Sequence, residues 1–486
     1  MIKEHKLSTI RKRLDDILED LNQSSKSGTP LHKVERRILT DLLSLGLLLL
    51  KYYVDLCLSV VEEKKVVGLI CKGKTTRRYL SVFGELSLTR SQYYHKAMGS
   101  YYPLDAYLGL PSGKYSYLLE DLLSYGSTEM DFAQSSSYLN RILGHNFTGM
   151  QSKRCSARVS SEVETFYDTV TPEQVAIGKH LSVGFDGKGV PMILSELGKT
   201  SDSSAIRLSK GQKRGSKKEA TVSLSSSFTP KSRSPEQIID GLFRNKAEKG
   251  GAKKVTPAQQ KKHCWHEDQH LRAFLSNKPK AIHYGLNELL DRDAQRNVPI
   301  VVLIDGDRAL KNQVTAQAKI LEVDHRIEAY ILDFIHLLEY VWKVANVYLG
   351  EKHLERAQWV EAQALLLLNS KHIQVLEGWK NIRTTNSFTK YQLEKLDQAI
   401  TYLTNKEEMI DYKTYLSKGF PITTGAVESA CGHFVKSRME RNAMHWGFKG
   451  AQSLLDIRAV RKNQDWDEYM KFFVEQDQKQ IYQKTA

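Results

Sequence analysis

Two apolar runs in this chain end in an aspartate followed by glycine. The first, "HLSVGFDGKGVPM", reaches Asp186; the second, "PIVVLIDGDRAL", carries five apolar residues from Ile300 to Ile304 into Asp305, Gly306, Asp307 and Arg308. Asp and Gly are common turn residues, so either run alone reads as a strand entering a turn. As ends of neighbouring parallel strands, however, they bring two carboxylates to one sheet edge, where open α/β sheets bind ligands. A third carboxylate stands in "GFPITTGAVESACGHFVKSRMERNAMHW". Thr423 or Thr424 can cap a helix starting near Gly425, which puts Glu428 in its first turn. The plainer explanation of Glu428 is the preference of acidic residues for a helix N-terminus. The small neighbours Ala426, Ser429, Ala430, Cys431 and Gly432 favour close approach of that helix to the sheet. Three carboxylates suit a pair of Mg²⁺ (or Mn²⁺) ions, hard cations that take oxygen ligands and serve phosphodiester chemistry. Of the two aspartates in "DGD", Asp305 is the expected ligand and Asp307 the expected cap of the next helix.

The elements that must position these residues are legible from patterning. Residues 1–65 read as helical. Residues 66–170 hold a hairpin-like alternation around Phe83-Gly84-Glu85, then short helices with a helix–turn–helix outline. There one helix ends near Leu143, Gly144 caps it, and Thr148 caps a second helix bearing Lys153, Arg154 and Arg158. Polar and basic residues at a helix start are what major-groove reading requires. Residues 171–336 read as strands at His180–Asp186, "ATVSLSSSFTP", Ile300–Ile304 and "IEAYILDF", with a helical piece from Trp265 to Arg296. A basic loop is expected at 200–260, since residues 207–254 hold 13 Lys or Arg against 4 Asp or Glu. Lys213, Arg214, Lys217 and Lys218 would make it an arm that follows a phosphate backbone. Residues 337–418 show helical apolar spacing, and 419–486 contain the Glu428 helix and further helices.

Bulk composition narrows the partner. The 486 residues include 71 Lys and Arg against 56 Asp and Glu, a formal net charge of +15. Such an excess suits a polyanion, nucleic acid foremost. The five cysteines form no CxxC pair, which argues against a zinc finger or a disulfide framework. His263, Cys264 and His266 lack the second ligand cluster a metal site would need. The N-terminus has no apolar signal core. Lys51 and Asp55 interrupt the apolar stretch from Leu42 to Val61, which reads as a buried or self-associating helix and not a membrane span. A cytosolic, nucleoid-associated bacterial protein is the expectation.

Four stretches carry a resemblance: "SVGFDGKGVPM", "VVLIDGDRAL", "YILDFIHLLEYVWKVA" and the block from "PITTGAVESACGHFVKSRMERNAMHW" to "RAVRKNQDWDEYMKFF". Over roughly residues 77 to 473 the chain resembles the DDE transposases of the Kra-type bacterial insertion sequences. The resemblance implies an RNase H-like α/β catalytic domain with an all-helical insertion, behind a mainly helical DNA-binding region containing a small β hairpin. It places the triad on Asp186, Asp305 and Glu428, as metal ligands that cleave and rejoin DNA. Asp333 and His336 match a signature of that family and are expected to line the active centre; on the Glu428 helix itself, Lys436 flanks the same face and Arg438 and Arg441 project to the sides, where they are expected to contact DNA. Expected partners are double-stranded DNA, as element ends and target, and a second copy of the chain. The chain departs from the family where "YYHKAMGSYYPLD" stands in place of a cysteine pair, which removes the expectation of zinc support there. Alternatives are a domesticated nuclease of the same fold, which cuts without joining, and a non-catalytic DNA-binding regulator.

Overall fold

A computed structural model of the protein describes residues 2–62, 69–96, 99–198, 216–243, 266–441 and 444–482. Lys213, Arg214, His263 and Cys264 lie outside the described residues. Two compact units form, one from Met1–Thr169 with Gln464–Ala486, the other from Val170–Asn463. The C-terminal helix Trp466–Tyr482 thus folds with the first unit and not with the Glu428 helix, as the sequence grouped it.

In the first unit, α1 (Ile2–Lys26) and α2 (Leu31–Glu62) form a helical pair tied by Arg13 to Asp41 at 2.6 Å. Only Cys57 of α2 is buried, so the apolar stretch from Leu42 to Val61 is not a core helix of this chain. By length and composition α2 meets the requirement for a membrane span, though charged residues interrupt it. Strands β1 (Ile70–Ser81) and β2 (Gly84–His95) pair antiparallel with Ser81 opposite Gly84, leaving a two-residue turn at Val82-Phe83. Gly84 takes φ +138°, which favours glycine. A short β3 (Gly99–Tyr101) joins β2.

After α3 (Pro103–Tyr107) come α4 (Tyr117–Glu129), α5 (Phe132–Leu143), α6 (Gly149–Val159) and α7 (Val163–Thr169). The helix–turn–helix outline forms as read. Gly144 closes α5 in the left-handed region at φ 69°, and Thr148 opens α6 with a reciprocal capping box to Gln151. On α6, Arg154 is exposed and Lys153 half-buried. Arg158 corrects the sequence reading. Its guanidinium is taken up by Glu120 and by Asp477 of the C-terminal helix, two carboxylates of its own unit.

Glu120 is almost fully buried, and burial, only partly opposed by Arg158, pushes its carboxyl up to about 7 from 4.5. A raised folded value means the stabilisation is complete below the ordinary carboxylate range and is lost as pH rises through the folded value. Helices α4 and α6 should therefore open more readily at about pH 8 than at about pH 5, by up to about 3 kcal/mol. Glu120→Gln should flatten that dependence, read by amide hydrogen exchange of the two helices in the whole protein.

The second unit is built on a five-stranded mixed sheet in the order β6-β5-β4-β7-β8. Its members are β4 (His180–Pro191), β5 (Lys217–Phe228), β6 (Glu267–Leu275), β7 (Ile300–Ile304) and β8 (Ile327–Leu332). The first three pair antiparallel, whereas β4–β7 and β7–β8 are parallel. All five residues of β7 are buried, the pattern of a strand covered on both faces. Two expectations need correction. Glu267–Leu275 is an edge strand, not the start of a helix; its Arg272 is neutralised by Asp456 at 3.0 Å and packs 4.8 Å from the Phe274 and Tyr284 rings. Within the tract expected as a basic loop, β5 forms at the run read as a strand but begins already at Lys217, and α8 (Pro235–Phe243) adds a helix where none was expected.

Helices α9 (Lys278–Asp291) and α10 (Arg308–Ile320) flank the sheet. Between β8 and the Glu428 segment lie α11 (Phe334–Tyr348), α12 (Arg356–Leu368), α13 (His372–Thr385), α14 (Lys390–Thr404) and α15 (Tyr412–Ser417). No strand interrupts this stretch, as the spacing predicts. Val341, Trp379, Leu396 and Leu403 join the same core as the sheet residues Val302 and Ile331, which ties the helices rigidly to the sheet.

Candidate active site

The parallel register of β4 and β7 sets the site. Gly184 lies opposite Leu303, so Asp186 and Asp305 each stand two residues beyond the last paired position. Asp186 is not at a strand end, as the sequence suggested: β4 continues to Pro191 along β5, which lengthens the strand past the parallel pairing. Asp305 does end its strand. Its Oδ1 accepts from Asp307 N at 2.9 Å, and Asp307 in turn caps α10, accepting from Ala309 N at 2.9 Å. The glycine between them holds φ +93°, and a Cβ there would come within 2.6 Å of Leu332 and 2.8 Å of the Tyr402 hydroxyl. "DGD" is thus a ligand candidate, an obligatory glycine and a cap.

Glu428 arrives on α16 (Gly425–Ala430), which packs on β4. Gly184 makes this approach possible, since a Cβ there would come 3.2 Å from Val427. Beyond α16 the chain widens into a π-helical turn, Cys431–Lys436. Such turns release carbonyls from the α pattern. Here the buried Arg458 of α17 (Phe448–Lys462) receives two of them, bonding His433 O and Phe434 O at 2.9 Å each.

Asp186, Asp305, Glu428, His336 and Glu339 line one cavity of about 170 Å³, together with Phe185, Ile335 and Thr424. A second cavity, of about 150 Å³, shares Asp186 and Asp305 and adds Glu219, Lys278 and Asp307. Among the described residues no three His, Cys, Asp or Glu side chains close tightly enough to hold an ion as they stand. The triad rings a space without converging on one point, and the Glu428 side chain is 45% exposed.

Asp333 does not line the cavity. It is 1% exposed, caps α11 by accepting from His336 N at 2.7 Å, and accepts the Thr424 hydroxyl at 2.5 Å and the Thr424 amide. The Thr424 hydroxyl also lies 3.0 Å from Glu428 Oε1. Thr424 therefore stands at the N-cap position of α16 but bonds Asp333 and Glu428 instead of the helix amides. His336 does line the cavity, with Nδ1 3.8 Å from Glu428 Oε1. Lys436 is exposed on the π turn and does not line it.

Sequence reasoning missed Thr424's second role, Glu339 and Lys278. It also missed Cys431, whose buried thiol is pushed up by burial and by the nearby Asp186. Only the one-turn spacing of His336 and Glu339 was a readable signal.

The basic residues divide. Arg154, Lys217, Lys218 and Arg441 are exposed, and Lys217 pairs with Glu440 at 2.5 Å. Arg438 corrects the sequence reading: it is 1% exposed, 5.3 Å from the Trp446 ring and bonded to Met444 sulfur. No protein-family model matches the chain, and no protein of curated function matches its sequence.

Asp333→Ala leaves the α11 amide and the Thr424 amide without their acceptor, while the Thr424 hydroxyl keeps Glu428, at a cost of about 3 kcal/mol in unfolding free energy. Thr424→Val removes one hydroxyl and should cost about 1–2 kcal/mol. Denaturant titration checks both; equal losses would show that Asp333 does not gather these groups.

Proposed function

We propose that this chain is a DNA transposase of the DDE type, cutting and rejoining strands at an RNase H-like sheet. The observation that carries this function is the shared cavity of Asp186, Asp305 and Glu428. A mixed five-stranded sheet with an all-helical stretch ahead of the Glu428 helix supports this reading. The net charge of +15 suits a DNA partner.

The donor set fits Mg²⁺ or Mn²⁺, being all carboxylate oxygen. Asp186, Asp305 and Glu428 would hold two such ions, which when bound neutralise charge and lower the barrier to phosphodiester displacement. The chain's own groups do the positioning. Amides of Gly187 and Asp307 fix the rotation of the two aspartates, at 2.7 and 2.9 Å. Asp333, through Thr424, holds Glu428 at the cavity wall. Lys278, 3.9 Å from Asp307 and 3.2 Å from Glu219, supplies positive charge on the opposite side.

Arg154 and Lys153 of α6 are the groups proposed to read element ends, and Lys217, Lys218 and Arg441 to follow the backbone. Two ends handled together call for two chains, with the exposed apolar face of α2 as their contact. The protein would work in the bacterial cytosol at the nucleoid.

A duplex carrying the inverted repeats that flank the gene should be nicked at the element ends with Mg²⁺, and the released 3′ ends joined to plasmid. Asp305→Asn should reduce both to background, whereas Asp307→Asn should keep most activity because Asn caps a helix as well as Asp does. Cleavage surviving in Asp305→Asn would overturn the assignment; cleavage without joining would make the protein a nuclease.

A further inference from the structure

A third cavity beside Asp305 has no part in the triad. It measures about 600 Å³ and lies between the turn after β7 and helix α14, walled by Gly306, Asp307, Arg308, Tyr340, Tyr402 and Lys406 among others. The volume falls within the ~300–1,000 Å³ of small-ligand pockets. It meets the smaller cavity of Asp186 and Asp305 at Asp307, which lines both.

The wall's chemistry is specific. Lys406 is only 7% exposed, and its ammonium stands 5.8 Å from the centre of the Tyr402 ring. The carboxylates of Asp307 and Asp305 act on it through space without an ion pair. Its stem is packed away while the ammonium lines the cavity, and among the described residues no carboxylate forms an ion pair with it, which leaves it open to an anionic ligand. Arg308 is exposed on the same wall. The two acids there are already engaged. Asp307 caps α10 and lies 3.9 Å from Lys278, while Asp397 is gripped by both Nε and Nη2 of Arg383 at 2.5 and 3.1 Å. The uncommitted charges are therefore both positive.

An aromatic surface adjoins them. Tyr402 and Tyr340 stack face to face, 3.9 Å between centroids and 8° from parallel, with Lys343 3.9 Å from the Tyr340 ring centre. The Tyr402 hydroxyl donates to Asp305 O at 3.1 Å, so this platform is fastened to the loop that carries the candidate ligand. A cation beside a stacked aromatic pair is the combination that binds a phosphate and a base at once, with little sequence preference.

We propose that this cavity is a subsite for one unstacked nucleotide of a single DNA strand, its phosphate held by Lys406 and Arg308 and its base against the Tyr402–Tyr340 platform. Resting on the DNA-joining function above, it makes the helical insertion part of the substrate site: the strand leaving the triad would be splayed there.

Fluorescence anisotropy of the full chain in EDTA tests this, comparing a labelled blunt duplex with the same duplex carrying a short single-stranded tail at either end. The tail should tighten binding about tenfold in the natural protein, the worth of a stacked base. Arg308→Ala and Lys406→Met should lose that gain while binding the blunt duplex unchanged. Asp305→Asn should keep it. Arg308 is exposed, so its variant reports even where Lys406→Met fails to fold. Equal binding of both duplexes by the natural protein, or a gain that survives Arg308→Ala, overturns the subsite and leaves the transposase function standing. Failure to bind either duplex overturns both.

Discussion

The parallel pairing of β4 with β7 is the constraint from which the site follows. Gly184 opposite Leu303 fixes the two strands against each other, and the strand repeat then sets Asp186 and Asp305 side by side two residues on. A slip of one residue would turn one of the carboxylates to the other face of the sheet. The buried, uniformly apolar β7 prevents that slip, because both of its faces are committed to the core. The same Gly184 admits Val427, and through it the helix that carries Glu428. One register therefore places all three acids.

Keeping acids together in a partly enclosed space is electrostatically unfavourable unless each is oriented or neutralised. Most of the machinery around the cavity does this. Main-chain amides hold the two aspartates, and the Asp333–Thr424 pair holds Glu428 from behind. Arg458 occupies the carbonyls that the π turn releases, which fixes the widened helix just past Glu428. Arginines that look on paper like a DNA-binding block thus partly serve as internal supports.

Legibility in the sequence tracked locality. The apolar run ending at Asp305, the cap at Asp307, the Gly144 and Thr148 helix boundaries and the helical insertion are all specified by neighbouring residues, and the fold follows them. What failed to show depended on partners far along the chain. Glu267–Leu275 is polar enough to resemble a helix, and it is pairing with β5 on one edge and the Asn463 and Gln452 side chains on the other that make it a strand. Arg158 and Arg438 carry the same charge as Arg154, yet burial beside Glu120 and Trp446 gives them a different task. Asp333 sits in a readable motif, but its direction, inward to Thr424, is set by a residue 91 positions later. A charge on a sequence has no sign of exposure; packing supplies it.

The central claim is that side chains 186, 305 and 428 close around a shared cation. Anomalous diffraction from crystals of the full chain soaked in Mn²⁺ addresses it directly. The account requires a Mn²⁺ peak bounded by these three carboxylates, with Glu428 drawn inward from its bond to Thr424. Ordered Mn²⁺ bound elsewhere, with that space empty at saturating metal, would contradict it.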